Sequence, residues 1–141
     1  IAGKAENFSE DFIIDKTKAY SNKVSKYIKF LDDNELNLAM NAVDIIALPY
    51  RRIFNGASGP LSEGVWLRKS ILGPNHGSLY DIIENNNLGL TFETENINDL
   101  ANKITNMIDN RHTWNEISES YRKKLSVENF RYEYYKLYAN L

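Results

Sequence analysis

Short apolar runs alternate with amphipathic stretches along most of this chain, the pattern of strand–helix–strand units around a parallel sheet. The clearest run is Asp44-Ile45-Ile46-Ala47-Leu48-Pro49-Tyr50. Its four consecutive apolar residues suit a central strand covered on both faces. Ser70-Ile71-Leu72-Gly73 and residues 88–92 read as further strands, and residues 27–31 as another. Ile1-Ala2-Gly3 reads as the end of a buried strand already in progress. With no initiator methionine ahead of it, the chain is expected to begin inside a longer protein.

Between these runs the period changes to that of helices. Residues 8–22 are expected to be helical in part, with Phe12, Ile13 and Tyr20 as apolar positions. Asp32-Asp33-Asn34 supplies cap residues for a helix whose Leu36, Ala39, Met40 and Val43 share one face. A helix opens at Pro60, and another carries Leu79, Ile82 and Ile83. Three stripes follow at helical spacing: Ile97, Leu100, Ala101, Ile104 and Ile108; Trp114, Ile117, Tyr121 and Leu125; Phe130, Tyr134, Leu137, Tyr138 and Leu141. All three are expected to be packing faces. The fold class expected is α/β: one domain with a parallel sheet, helices on both faces and a helical C-terminal segment over 113–141.

Composition narrows the function classes. At 141 residues with 43% hydrophobic content, the chain can form a domain with a core. A net charge of -2 argues against a nucleic-acid partner. With no cysteine, neither a disulfide framework nor a thiolate metal site is possible. No apolar run reaches the roughly 20 residues of a membrane helix, and the first residues are not a signal peptide.

Candidate chemistry clusters where strands give way to helices, the ligand edge of an α/β sheet. Gly56 and Gly59 flank Ala57 and Ser58 ahead of Pro60, so the backbone there can approach a ligand closely. The N–H groups of Leu61, Ser62 and Glu63 are expected to be free to face an anion. Glu63 could accept bonds from sugar hydroxyls or simply complement the helix dipole. Gly77 and Ser78 offer a second set of backbone donors after the loop Gly73-Pro74-Asn75-His76. His76 could contact a ligand or serve as a general acid, or be a polar loop residue. Arg51 and Arg52 follow a strand end, as a diphosphate clamp or a solvated pair. Asp32 and Asp33 read as caps, and His112 as solvated. Two isolated histidines with no matching carboxylate spacing are not a metal site. There is no Gly-x-Gly-x-x-Gly and no Walker lysine loop, which removes the main signals of a dehydrogenase or P-loop protein.

Taken in order, these segments resemble the C-terminal domain of a retaining glycosyltransferase of the two-Rossmann-domain type, in the large group 1 (family four) class. Ile1-Ala2-Gly3-Lys4 resembles its strand ending in A-G, and Asp33-Asn34-Glu35-Leu36 its (D/E)-E-L helix start. Ala42-Val43-Asp44-Ile45-Ile46-Ala47-Leu48-Pro49 resembles its A-D-hydrophobic-P strand. Leu61-Ser62-Glu63-Gly64 resembles L-x-E-A, and Gly77-Ser78-Leu79-Tyr80-Asp81-Ile82-Ile83 the G-G-x-P-E segment. Asn87-Leu88-Gly89-Leu90 matches N-G-hydrophobic. The family's signature is two glutamates with seven residues between them. Glu63 matches the second, and the first position holds Asn55, an uncharged residue. Tyr50-Arg51 and Ser58-Gly59 resemble a Y-R … S-G-x-L-x-E variant of the motif. Asp81 replaces a glutamate, Tyr80 a proline, and Ser70 stands where a proline is usual.

The resemblance implies a Rossmann-like sheet forming a partial donor domain over 1–141. Its first strand–helix unit, with an arginine–lysine diphosphate clamp, and an N-terminal domain bearing the acceptor site and catalytic histidine would lie upstream. It implies a nucleotide-sugar, UDP- or GDP-linked, with phosphate over Ser58, Gly59, Pro60, Leu61 and Ser62 and with Arg51 nearby. The ribose would lie on Glu63 and the base near Phe30 and Leu31. The transferred sugar would lie by Asn55 and the loop Asn75, His76, Gly77 and Ser78, with Asn55 and Glu63 as the catalytic pair. No cofactor and no metal are implied. The acceptor would be a glycan or lipid-linked, as in polysaccharide biosynthesis. The parent would be cytoplasmic, with peripheral association at the inner membrane face open, and 1–141 alone would be inactive. The Tyr-rich last helix, carrying Tyr132, Tyr134, Tyr135 and Tyr138, is expected to dock on the upstream domain. The alternatives are a non-catalytic domain holding a sugar-nucleotide or a partner, and half of a sugar-nucleotide epimerase.

Overall fold

A computed structural model describes residues 1–5 and 8–139. The chain divides into two compact units, Ile1–Ala42 and Val43–Leu141.

In the first unit Ser9 caps α1 (Glu10–Thr17) by accepting from the Phe12 N–H, and a 3-10 turn, Lys18–Tyr20, closes the segment. Both lie within 8–22, the stretch expected to be helical in part. Glu6 and Asn7 lie outside the described residues. Asp32 caps α2 (Asp33–Asn41) through a reciprocal capping box with Glu35. Lys29 pairs with the same Glu35. The strands expected at Ile1-Ala2-Gly3 and 27–31 amount to one parallel bridge, Ala2 to Tyr27, flanked by the Tyr27 N–H to Ile1 C=O bond of 2.8 Å. Ile1, also expected to be buried, is 59% exposed, and no described residue of this unit is buried. Without a core to pack on, these apolar residues do not extend the ladder. Val43, expected on the α2 stripe, lies beyond the helix.

The second unit holds the sheet and the core. Its elements are β1 (Ile45–Ala47), α3 (Gly59–Trp66), β2 (Ser70–Pro74), α4 (Gly77–Asn85), β3 (Gly89–Phe92), α5 (Ile97–Asp109), α6 (Glu116–Lys124) and α7 (Val127–Ala139). The three strands are parallel in the order β1-β2-β3. The 44–48 run, expected to be central, is thus an edge strand, and β2 takes the middle. The burial agrees: Ile71 and Leu72 are fully buried, whereas Ala47 is exposed.

Alternation along the strands gives each face its helices. On one face Gly64 of α3 lies against the Ile46 and Ile71 side chains, and Gly73 of β2 lies against Ile83 of α4. On the other, Leu72 and Phe92 pack with Met107 of α5, with Ile45, Leu90, Leu100 and Ile104 around them. The inward face of α5 is therefore Leu100–Ile104–Met107. Ile97 and Ile108, expected on its packing stripe, are 80% and 64% exposed. Gly89 has φ +156 and its Cα faces the Ile71 backbone so closely that a Cβ would sit 1.9 Å from the Ile71 carbonyl oxygen.

Helix α6 is held by polar contacts. The Asn87 carbonyl, in a left-handed turn after α4, accepts from Ser118 Oγ at 2.7 Å and His112 Nε2 at 2.9 Å. Ser118 is fully buried, while Ile117 of the expected stripe is half exposed and Trp114 precedes the helix. His112, expected to be solvated, is thus part of this anchor. Helix α7 has no buried residue, and Phe130, Tyr134 and Tyr138 form an exposed row of ring contacts, the first pair stacked and the second tilted. Asn140 and Leu141 lie outside the described residues. Among the described residues no helix is long and apolar enough to cross a membrane.

Candidate functional site

The C-terminal ends of all three strands of the second unit meet the N-termini of α3 and α4. In a parallel sheet this edge gathers loops and helix starts, hence its use for ligands. After β1 the chain turns through Tyr50 and Phe54, whose rings stack with centroids 4.0 Å apart. The Tyr50 hydroxyl lies 3.1 Å from Ser58 Oγ, which accepts from the Leu61 N–H at 3.2 Å. Ser58 is buried, so this small network ties the loop bearing Arg51 and Asn55 to the start of α3.

That network changes the expected anion cradle. Leu61 N–H is spent on the Ser58 cap, Ser62 N–H on the Ser58 carbonyl at 3.2 Å, and Pro60 has none to offer. Ser62 Oγ also points back to that carbonyl, at 3.4 Å. Of the expected donors, Leu61 and Ser62 are thus not free, and Gly59 N–H stands ahead of both bonds. Glu63 is exposed in the second turn of α3, past the first turn in which a carboxylate would complement the helix dipole.

The second helix start differs. His76 precedes α4 and makes no side-chain cap. Gly77, at φ +64, turns the chain into the helix and leaves the first-turn N–H groups of Gly77 and Ser78 without a side-chain acceptor. Asn55 comes to this point: its Oδ1 is 3.0 Å from where a Gly77 Cβ would be. The α3 loop and the α4 start, 22 residues apart in sequence between Asn55 and Gly77, therefore form one surface.

His76 is fixed from behind. Its Nδ1 lies 2.7 Å from Thr94 Oγ1, and Thr94, buried just past β3, bonds Asn75 Oδ1 through its N–H at 3.1 Å and its hydroxyl at 3.3 Å. With that hydroxyl donating to Asn75, His76 Nδ1–H donates to Thr94, and Nε2 is an acceptor. Nε2 is buried with no partner in the described residues. Arg51 reaches across to Glu95, Nε to Oε1 3.3 Å, both well exposed. It is engaged there, and Arg52 is exposed.

A cavity of about 170 Å³ opens beneath the Arg51–Glu95 pair, between Tyr50, Phe92, Ile97 and Leu100. A larger one, about 530 Å³, lies at the opposite edge of the sheet, near Asp44, Arg68, Met107 and Arg111. Size alone does not favour the latter, because the N-termini of α3 and α4, which follow β1 and β2, face the other edge. Of the expected site residues, the structure brings together Arg51, Asn55, Ser58, Gly59, Pro60, Leu61, Ser62, Glu63, His76, Gly77 and Ser78 on one edge. Phe30 and Leu31 belong to the first unit, where Phe30 is 81% exposed. The sequence reading placed Asn75 in the sugar-facing loop but missed Thr94 and Glu95. A polar Thr-Glu pair straight after a strand was the available signal, since that is where ligand-edge loops begin. Among the described residues no three His, Cys, Asp or Glu side chains converge.

No protein-family model matches the chain, and no curated protein matches it.

Proposed function

We propose that this chain is the donor-binding part of a retaining glycosyltransferase and holds a nucleotide-sugar at the C-terminal edge of its parallel sheet. One observation carries the reading: Asn55, in the loop that leads into the Glu63-bearing helix α3, lies beside Gly77 at the start of α4, where no side chain caps the helix. The diphosphate would take the free first-turn N–H groups of Gly77 and Ser78, with Gly59 N–H next to them. The ribose hydroxyls would bond the exposed Glu63 carboxylate, and Asn55 would contact the transferred sugar. Such a site works by placing the donor and spreading the leaving charge over fixed dipoles. UDP or GDP would be the carrier, and a glycan or lipid-linked molecule the acceptor, bound by a further domain.

A second reading has its own support. Asn55 offers no charge where the resembled family has a glutamate, so the domain could hold a sugar-nucleotide or a partner without transfer. Ligand-observed NMR with UDP, GDP, ADP and NAD, repeated with Glu63→Ala, tests binding. Selective binding of one sugar-carrier nucleotide, lost in the variant, is the expected result; equal binding by both proteins removes the ribose role. Turnover of Asn55→Ala in a longer parent separates transfer from binding alone, and a donor-only product assay identifies an epimerase.

A further inference from the structure

The loop that leads from β1 into α3 is anchored at two points. At one, Phe54 stacks on Tyr50 and its N–H bonds the Arg51 carbonyl at 2.9 Å. At the other, buried Ser58 caps α3. Asn55 and Gly56 lie between them, and among the described residues no hydrogen bond engages either. Asn55 is exposed, and a Cβ on Gly56 would meet only the Phe54 ring, at 3.7 Å. Asn55-Gly56 is also the one Asn-Gly pair in the chain. An asparagine side-chain carbon and the backbone nitrogen of the next residue can close a five-membered ring. Closure needs that N–H unbonded, the side chain free to turn, and little bulk on the following residue. Glycine supplies the last, having no Cβ and a permissive backbone.

We propose that Asn55 is a self-modification site, where the side chain sheds ammonia and becomes a carboxylate beside the start of α4. Hydroxide takes the Gly56 N–H proton, and the nitrogen attacks Asn55 Cγ. The N–Cγ bond forms, the Cγ–Nδ2 bond breaks, and the amide nitrogen leaves as ammonia with a proton from water. Water then opens the cyclic imide. Attack at Cγ gives aspartate on the original backbone, and attack at the Asn55 main-chain carbonyl gives isoaspartate. One water is consumed, one ammonia is released, and nothing is oxidised or reduced. Apart from water, every reacting atom belongs to two consecutive residues, so the step does not depend on what else lies against the loop. Its consequence follows from the place of Asn55, whose Oδ1 is 3.0 Å from where a Gly77 Cβ would be. No side chain caps that helix start, and its positive end favours an anion. The functional effect rests on the proposed reading of the site: the new carboxylate competes with the donor diphosphate for the same N–H groups.

Incubation of the 141-residue chain in mildly alkaline buffer, with peptide mapping by mass spectrometry over time, is the test. The peptide holding Asn55 is expected to gain the mass difference between an amide and an acid, ahead of every other asparagine. It should separate into isoaspartate and aspartate forms, and the intact chain should gain one negative charge beyond its -2 on anion exchange. Hydroxylamine, which opens the imide, should cut the chain between residues 55 and 56, and the rate should rise with pH. Gly56 has no positive φ, so Gly56→Ala is expected to keep the circular dichroism spectrum and to slow conversion several-fold. An Asn55 that stays intact while other asparagines convert, a rate that does not change with pH, or a folded Gly56→Ala variant that converts as fast as its parent overturns the proposal. Nucleotide binding by Asn55→Asp, expected to be weaker than the parent's, is read separately. A parent that binds no nucleotide defeats the proposed function and leaves the modification standing, whereas equal binding by both defeats the competition.

Discussion

Replacing Ser58 with alanine tests how the candidate site is held in shape. Ser58 Oγ has two partners: it accepts from the Leu61 N–H at 3.2 Å and lies 3.1 Å from the Tyr50 hydroxyl. Loss of a helix N-cap costs about 1 kcal/mol. The Leu61 N–H is buried, so water does not replace the cap easily. Tyr50 is only half-buried, and losing its partner adds about 0.5–1 kcal/mol. Together Ser58→Ala is expected to cost about 1.5–2 kcal/mol. Tyr50→Phe keeps the ring stack on Phe54 and loses only the hydroxyl, about 0.5–1 kcal/mol. Because both variants break the same bond, the double variant is expected to cost less than the sum, by about 0.5 kcal/mol or more. Urea unfolding reads this directly: at slopes of about 1–3 kcal/mol/M the midpoint of Ser58→Ala falls by about 1 M. Ser58→Thr keeps the cap oxygen and should recover most of the loss. A Ser58→Ala cost under about 0.5 kcal/mol, or strictly additive variants, would show that the network does not hold the Arg51–Asn55 loop to α3.

Two other predictions concern the frame around the site. Gly89→Ala places a Cβ 1.9 Å from the Ile71 carbonyl oxygen and 2.8 Å from its N and C atoms, all backbone, at φ +156. The β2–β3 ladder must part, so a loss of about 3 kcal/mol or more is expected in urea unfolding. Gly59→Ala, with nothing within 4 Å of its Cβ, is the control and should change little. The second prediction is a pH dependence. The Arg68 guanidinium beside Glu119, at 2.5 Å, with Arg122 at 3.1 Å on the other oxygen, holds its carboxyl at about 2, below the ordinary 4.5. A depressed folded value stabilises the fold above the unfolded pKa, and that contribution is lost as pH falls through the folded one. The stability difference between the parent and Glu119→Gln should therefore shrink from about pH 4.5 to about pH 2. Trp66, whose ring stacks under Arg122 at 5.1 Å, reports it by fluorescence. An unchanged difference across that window refutes the pairing.

What could be read in the sequence follows from what fixes each element. Strands and helices with their own local signals were legible: the apolar run at 45–48, the Asp32 cap, Pro60 after Ser58, and the Gly77 turn. Each sets its conformation from neighbours in the chain, by φ preference or by a cap oxygen within reach of the next turn. Properties set by distant partners were not legible. Four apolar residues in a row fit a central strand and equally an unguarded edge, and only the sheet order places 45–48 at the edge. The inward face of α5 turned toward Met107 because Leu72 and Phe92 lie there, a pairing across more than ten residues that the Ile97–Ile108 spacing does not contain. Buried Ser118 broke the expected α6 stripe because the Asn87 carbonyl needed a donor. The candidate site shows the same division. Glycines, a proline and a helix start marked the positions of its backbone donors, which are local. Which donors are already spent depends on where Ser58 turns its hydroxyl, and Asn55 reaching Gly77 depends on two loops meeting across the sheet edge. On the proposed reading the phosphate would therefore sit at the α4 start rather than at α3, because of these two helix N-termini only that of α4 has no side-chain cap.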